Sequence, residues 1–366
     1  MSAAGAVTQG VEFCGLQLAH PIINGSGTFD ALAAARAFGD ELTQRFPFAA
    51  YVSKTITLEP RAGNPPPRLW ESSAGLINSI GLPNKGLDGY LAQDLPALAQ
   101  LGIGAGGASA SEPAAAGEPA AAGGPAPAGG PAAAGGPAPA GGPAPAGGPA
   151  PAGGPAPTPL ITNVMGSSAE EIARLLEACD AYASIAAIEL NVSCPNVNTG
   201  LDIGADPSQL HDVLRAVRPR TGKPLIVKLT PNTADVVACA QAAEGGGADA
   251  VSLINTLRAS ALTPGRAAGG PRRDPRPAPW LGGGSGGLSG PAIRVVALAQ
   301  VAAVAARVSV PVVGMGGVQT AAHARDLLDV GATLVAVGTE SFRDPRVAAT
   351  IARELRNVRH TAGSKL

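Results

Sequence analysis

Residues 186–196, "AAIELNVSCPN", place a short apolar run directly before two asparagines that enclose a cysteine. Seven other stretches share this form, because each is a brief apolar run that ends in polar or glycine residues and precedes a helical pattern. They are PIINGSG (21–27), AAYVSKT (49–55), LITNVMG (160–166), PLIVKLT (224–230), AVSLINT (250–256), PVVGMGG (311–317) and LVAVGTE (334–340). Continuous apolar runs are typical of parallel strands that are covered on both faces. Eight repeats of strand and helix predict an α/β fold, a TIM (β/α)₈ barrel, formed by residues 1–366 as one domain.

The connecting segments carry signals for helix starts. Asp206 stands directly before Pro207, and Ser168 with Glu171 has the spacing of a capping box. These signals support the assignment of helices between the strands.

Residues 104–157 contain only Ala, Gly, Pro, Ser and Glu, and from Gly123 they repeat as "GGPAPA". Without large apolar side chains this segment cannot offset its ordering entropy, so we expect a disordered insertion before the third strand. At that place it lies on the rim of the barrel opposite the strand ends that carry catalytic groups, where a loop is tolerated. The alternative is a spacer or docking tether.

Composition excludes several classes of protein. The formal net charge is −1 and aromatic residues make up 3%, which does not suit a nucleic-acid binder. The first residues lack a secretory signal and no apolar stretch is long enough to span a membrane, so we expect a cytoplasmic protein. Cys14, Cys179, Cys194 and Cys239 are far apart, which argues against structural zinc, an iron–sulfur cluster or disulfides. We expect all but Cys194 to be small buried residues.

Catalytic groups of such barrels lie at the carboxyl ends of the strands. The residues at those ends are Ser26, Lys54, Thr55, Asn163, Asn191, Cys194, Lys228, Asn255, Thr256, Gly316, Gly317, Gly338 and Thr339. They include no pair of acids, as a glycosidase needs, and no histidine, so we expect neither a glycosidase nor a metal site.

The same residues indicate the chemistry of the ligand. "GMGG" and "GTES" end the last two strands, where many barrels bind a phosphate with backbone N–H groups. Lys54 and Lys228 follow apolar strand residues and suit an anionic ligand. Four asparagines, Asn78, Asn191, Asn196 and Asn255, offer donors and acceptors to a planar heterocycle with amide edges.

At "NVSCPN" the chain resembles the catalytic subunits of class 1 dihydroorotate dehydrogenases, FMN-dependent barrels of pyrimidine biosynthesis. The resemblance extends through "NGSGTF", "SKTIT", "GNPPPRL", "LINSIGLPN", "ITNVMG", "IVKLTPN", "SLINT", "GGLSGPAI", "GMGG" and "VGTES", and so covers the chain outside the insertion. It implies that Cys194 is the base that removes the C5 proton of dihydroorotate while hydride leaves C6 for FMN.

The resemblance also implies the remaining site residues. Those for the substrate are Lys54, Asn78, Ser79, Ile80, Gly81, Leu82, Asn191, Asn255 and Thr256. Those for FMN are Ser26, Lys54, Thr55, Asn163, Asn191, Lys228, Ile254, Gly290, Gly316, Gly317, Gly338 and Thr339. Residues 197–206, "VNTGLDIGAD", are expected to close over the substrate as a lid.

The stretch "CPNVNTGLDIG" is closer to class 1B, in which a partner subunit with FAD and an iron–sulfur cluster passes electrons to NAD. A homodimeric core is also implied. Three alternatives stay open: a class 1A enzyme that reduces fumarate, a barrel like the catalytic domain of dihydropyrimidine dehydrogenase, and a non-catalytic scaffold with a flexible docking arm. A second stretch, residues 269–280, "GGPRRDPRPAPW", departs from the family and enlarges the loop after the sixth strand.

Overall fold

A computed structural model describes residues 10–39, 41–42, 45–104, 157–192, 203–263 and 278–362. The strands in these residues are, in chain order, β1 (Val11–Phe13), β2 (Leu16–Leu18), β3 (Ile22–Asn24), β4 (Tyr51–Val52), β5 (Leu69–Ser72), β6 (Gly75–Asn78), β7 (Leu160–Val164), β8 (Ile185–Asn191), β9 (Leu225–Lys228), β10 (Ala250–Leu253), β11 (Leu257–Ala259), β12 (Gly286–Ser289), β13 (Val312–Met315) and β14 (Leu334–Val337).

Eight of these strands form one parallel sheet in the order β3-β14-β13-β10-β9-β8-β7-β4. The two edge strands, β3 and β4, approach each other, since the N–H of Ala49 donates to the carbonyl of Ile22 at 3.0 Å. The helices that follow the strands are Ala31–Phe38, Gly86–Gly89 continued by a π-helix Tyr90–Asp94 and by Leu95–Gln100, Ala169–Asp180, Pro207–Val217, Val236–Gly245, Arg294–Ala305, Ala321–Asp329 and Val347–Ala362. The predicted eight strands and TIM barrel are confirmed.

Alternate residues of each barrel strand face opposite sides. Inward residues such as Ile161, Ala187 and Ile226 form one apolar cluster with Phe13 and Leu18 of the β1–β2 hairpin. Their neighbours pack outward against the helices in a second, larger cluster. Burial on both sides explains the continuous apolar runs in the sequence.

The helix-start signals hold with one difference. Asp206 Oδ1 accepts the N–H groups of Ser208 and Gln209 at 2.9 and 3.1 Å. Ser168 Oγ accepts the Glu171 N–H at 3.2 Å, but the Glu171 carboxylate binds the hydroxyl and N–H of Ser167 instead of closing a capping box. These bonds from Ser167 lower the pKa of Glu171.

The low-complexity insertion begins and ends at adjacent points of the fold. The N–H of Gly104 donates to the carbonyl of Thr158 at 2.9 Å, and the N–H of Thr158 donates to the carbonyl of Gly102 at 2.9 Å. Thr158 lies two residues before β7, the third barrel strand, so the insertion leaves from the amino-terminal rim as expected. Residues 105–156 themselves lie outside the described part of the chain.

A second sheet, not predicted from the sequence, comes from two loops at the carboxyl-terminal rim. Its strands are antiparallel in the order β11-β12-β6-β5, and Trp70 packs edge-on against Trp280 with ring centroids 5.3 Å apart. In the chain, the Arg- and Pro-rich stretch, residues 269–280, lies between β11 and β12. Most of it, residues 269–277, lies outside the described residues. The backbone N–H of Trp280, at its end, donates to the Ala261 carbonyl at 2.8 Å. These strands are too short and irregular to show a clear alternation.

Within the described ranges, no helix combines the length and apolarity needed to cross a bilayer. The same residues contain no group of three or more His, Cys, Asp or Glu side chains placed to hold a metal ion.

Candidate active site

The strand ends bring most of the predicted site residues to one rim of the barrel. Asn191 ends β8 and Lys228 ends β9, and the two are paired in the parallel register. Lys228 is also paired with Ser252 of β10. The rim therefore holds polar side chains from strands that are distant in sequence.

Lys228 places a buried positive charge at this rim. Its residue is only 5% exposed, and its Nζ donates to the Ser26 hydroxyl at 2.9 Å. Ser26 follows β3, so the bond crosses the barrel mouth between two predicted cofactor residues. Among the described residues Lys228 forms no salt bridge, and an ammonium with a single hydroxyl partner suits an anionic or carbonyl-bearing ligand.

Asn163 of β7 is fully buried and only partly satisfied. Its amide nitrogen donates to Glu189 Oε1 at 2.5 Å and its backbone N–H donates to Ser53 Oγ at 3.0 Å. Its Oδ1 has no hydrogen-bond partner in the described part of the protein. Buried carbonyl oxygens are rarely left unpaired, so this atom indicates a donor supplied by a ligand.

Glycines at the ends of β12 and β13 form a close-packed corner. Gly290, Gly316 and Gly317 all have positive φ, and a Cβ on Gly317 would lie 2.8 Å from the Gly290 carbonyl oxygen. Thr339, after β14, donates its hydroxyl to Ser289 Oγ at 2.8 Å and so ties the next strand to this corner. Exposed backbone N–H groups in such a corner suit a phosphate.

The predicted substrate loop, residues 78–82, lies against the loop after β10. Asn78 donates its amide to the carbonyl of Gly287 at 3.2 Å, and a Cβ on Gly287 would overlap the Thr256 side chain. Ser79 donates its hydroxyl to Ser285 at 2.8 Å. Gly287 therefore lies against both Asn78 and Thr256, two of the predicted substrate residues.

Lys54 differs from Lys228 because it is exposed. Together with Thr55 it lines a cavity of about 290 Å³, but the rest of that cavity is formed by residues outside the predicted site, such as Phe29, Tyr51 and Tyr90 of the larger, outer apolar cluster. In the described part of the structure its ammonium has no hydrogen bond or ion pair, which leaves it available to an anionic ligand.

The remaining predicted residues are placed as follows. Asn255 directly follows Ile254, and its side-chain oxygen accepts the Thr256 N–H at 2.9 Å. Gly338 lies close to Gly25 at the end of β3. Cys194 and Asn196 lie outside the described residues, as does most of the expected lid, of which Ile203–Ala205 forms a 3-10 turn.

Of the three described cysteines, Cys14 and Cys179 lie away from this rim, whereas Cys239 lies near the start of the helix after β9, with its sulfur 3.7 Å from the Thr233 hydroxyl. Cys14 donates to the carbonyl of Asp249, which precedes β10 at the opposite end of the barrel. Cys179 and Cys239 are buried in helices, as expected, whereas Cys14, also expected to be buried, is only partly buried. Burial raises the pKa of Cys14 to about 11 and of Cys179 to about 12, and it also raises the pKa of Cys239. All three are therefore neutral thiols near pH 7.

Sequence reasoning missed several polar residues next to the site. Glu189 is 3% exposed and accepts from Ser252 Oγ at 2.8 Å as well as from Asn163. The sequence could have indicated Glu189, because it lies two residues before Asn191 in the same strand and therefore faces the same side of the sheet. Ser289 and Gly287 gave no comparable signal because their role depends on the second sheet.

Comparison with known proteins gives a consistent result. A family model described as dihydroorotate dehydrogenase matches residues 9–358. Relatives named "Dihydroorotate dehydrogenase B (NAD(+)), catalytic subunit" include proteins of Geobacter sp. strain M21 (36% identical, covering 94% of this chain and 91% of the relative), Trichlorobacter lovleyi (37%, 93% and 90%) and Desulforudis audaxviator (36%, 95% and 92%).

Proposed function

The chain belongs to the dihydroorotate dehydrogenase family, and we propose that it is an oxidoreductase that converts dihydroorotate to orotate in pyrimidine biosynthesis. One observation of the structure carries the proposal. The buried Lys228 ammonium, the Asn163 oxygen that has no partner among the described residues, and a glycine corner all lie at strand ends on the carboxyl-terminal rim of one barrel. The ammonium and the amide oxygen suit the polar edge of a planar heterocycle, and the glycine corner suits a phosphate attached to it.

This arrangement fits the flavin on which the family depends, and we propose FMN as that flavin. The residues that would hold it are Ser26, Lys54, Thr55, Asn163, Asn191, Lys228, Ile254, Gly290, Gly316, Gly317, Gly338 and Thr339. Bound flavin supplies the oxidant that accepts the hydride from C6 of the substrate.

The chain's own residues provide binding and proton transfer. Lys54, residues 78–82, Asn191, Asn255 and Thr256 would bind dihydroorotate, with the exposed Lys54 ammonium suited to its carboxylate. We propose Cys194 as the base that takes the C5 proton. The other cysteines support this choice, because Cys14 and Cys179 lie away from the rim and Cys239 is fully buried in the helix after β9.

Electrons would then pass to NAD through a partner subunit. The names of the relatives describe a catalytic subunit and NAD(+), which implies a second subunit. We propose that this partner carries FAD and an iron–sulfur cluster, because four isolated cysteines in this chain provide no cluster site. The homodimeric core stays a prediction from the family resemblance.

Anaerobic mixing of the purified chain with dihydroorotate tests the proposal. The flavin absorbance should bleach on mixing, and separate additions of fumarate and NAD should then leave it bleached until the partner subunit is supplied with NAD. A colourless protein that fails to bind FMN would contradict the proposed function. Rapid reoxidation by fumarate with this chain alone would instead indicate a class 1A enzyme.

A further inference from the structure

Glu189 is an acid inside the barrel that the proposed reaction does not use. It faces inward from β8, and both of its carboxylate oxygens are engaged. Oε1 accepts from the Asn163 amide at 2.5 Å, and Oε2 accepts from the Ser252 hydroxyl at 2.8 Å. The carboxylate therefore connects β7, β8 and β10 across the interior.

Charge balance does not explain this acid. Glu189 and Lys228 lie on adjacent strands, yet they form no ion pair in the described part of the chain. The Lys228 ammonium binds Ser26 instead. A buried acid is costly unless hydrogen bonds compensate for the lost water, and the bonds to Asn163 and Ser252 provide that compensation.

The bond to Glu189 determines how the Asn163 amide is turned. Glu189 Oε1 accepts the hydrogen bond from Asn163 Nδ2, so the amide directs its NH₂ group at Glu189. Its oxygen is then necessarily the free end, and that oxygen is buried without a partner among the described residues. Because of Glu189, the amide presents an acceptor and never a donor to whatever binds beside it.

We propose that Glu189 is a positioning residue that holds Asn163 Oδ1 as the acceptor for the imide N–H of the flavin ring. The inference rests on the proposed function, since an oxidised flavin ring carries a single N–H, between its two carbonyl groups. Without the acid the amide can turn over and present its NH₂ group, which opposes that N–H.

Binding of two flavins by the full chain, stripped of flavin and reconstituted, tests this role. The probes are FMN and 3-deaza-FMN, in which carbon replaces the imide nitrogen, so that this ring position has no N–H to donate. The unmodified protein should bind FMN roughly tenfold more tightly, the value of one well-placed hydrogen bond. In Glu189→Gln this preference should disappear, because glutamine can donate to the Asn163 oxygen and let the amide turn.

A reciprocal variant distinguishes positioning from support of the fold. Asn163→Asp combined with Glu189→Gln keeps the charge and restores an acceptor toward the ligand, so the preference for FMN should return. Thr162→Val is the matched control. Thr162 is equally buried on the same strand, but its hydroxyl lies 2.8 Å from the Tyr90 hydroxyl on the outer side of the barrel. Loss of this hydroxyl should lower thermal stability without changing the preference for FMN over 3-deaza-FMN.

Each remaining result has one interpretation. A tenfold preference that survives in Glu189→Gln, or no preference in the unmodified protein, overturns the inference while the proposed function stands. A chain that binds neither flavin contradicts the proposed function, and the inference with it.

Discussion

The side chain of Asn24 closes the barrel by binding the backbone of Val52. Its Nδ2 donates to the Val52 carbonyl at 2.8 Å, and its Oδ1 accepts the Val52 N–H at 2.8 Å. One buried amide thus joins β3 to β4, the two edges of the eight-stranded sheet. We expect Asn24→Ala to reduce the free energy of unfolding by about 3 kcal/mol, since two buried backbone groups lose their partner. Chemical denaturation measures this, with the exposed Asn357→Ala as control, and a loss as small as the control's would show that the closure does not depend on Asn24.

Lys228 should favour the reduced flavin, because a buried ammonium stabilises the negative charge that reduction adds. We expect Lys228→Met to lower the reduction potential of the bound flavin by about 30 mV, a tenfold change for a two-electron couple. Lys85→Met is the control, since Lys85 is half exposed and pairs with Asp94 at the surface. Equilibration with a reference dye gives the potential, and an unchanged value in Lys228→Met would contradict the role.

Cys194→Ala should slow flavin reduction by dihydroorotate by roughly 100-fold or more, the usual contribution of a general base, while flavin stays bound. Reduction in the unmodified protein should speed up as pH rises toward 8.5, where a free thiol ionises. In the control variant Cys14→Ala, at the opposite end of the barrel, dihydroorotate should reduce the flavin at the normal rate. Stopped-flow absorbance measures all three, and near-normal reduction in Cys194→Ala would remove the base assignment.

The low-complexity insertion should be dispensable for flavin binding. Gly104 and Thr158 already form a backbone hydrogen bond at 2.9 Å, so a short Gly/Ser turn can replace residues 105–156. The shortened chain should bind FMN and be reduced by dihydroorotate as the full chain is. A binding assay with the partner subunit tests the alternative that the insertion is a docking tether. A tether would be needed for binding the partner subunit but not for reduction of the flavin by dihydroorotate.

His20 should make the fold sensitive to acid. Burial, and then the positive charge of Arg356, lower the pKa of His20 to about 4 from its ordinary value near 6.5. Since the folded protein holds this imidazole neutral and the unfolded chain protonates it, stability is complete above about pH 6.5 and falls as pH drops toward 4, by at most about 3 kcal/mol. In His20→Asn this part of the pH dependence of unfolding should be lost. An identical dependence in the variant would exclude His20 as its source.

The sequence by itself determined the barrel and the rim. Continuous apolar runs are typical of strands covered on both faces, and eight of them with intervening helices leave little choice of topology. Because parallel strands end at the same rim, residues as distant as Ser26 and Lys228 could be assigned to one site without coordinates. The family motifs then indicated the chemistry.

Only the tertiary structure decided how those residues are paired. Which partner occupies each polar atom depends on strand register, and register is not visible in a single strand. In the sequence Glu189 is a single acid within an apolar run. The strand register places it beside Asn163, whose side-chain oxygen then has no hydrogen-bond partner among the described residues. The closing bond from Asn24 to Val52 and the second sheet beside the mouth likewise depend on contacts between distant segments, for which the local sequence carries no periodic signal.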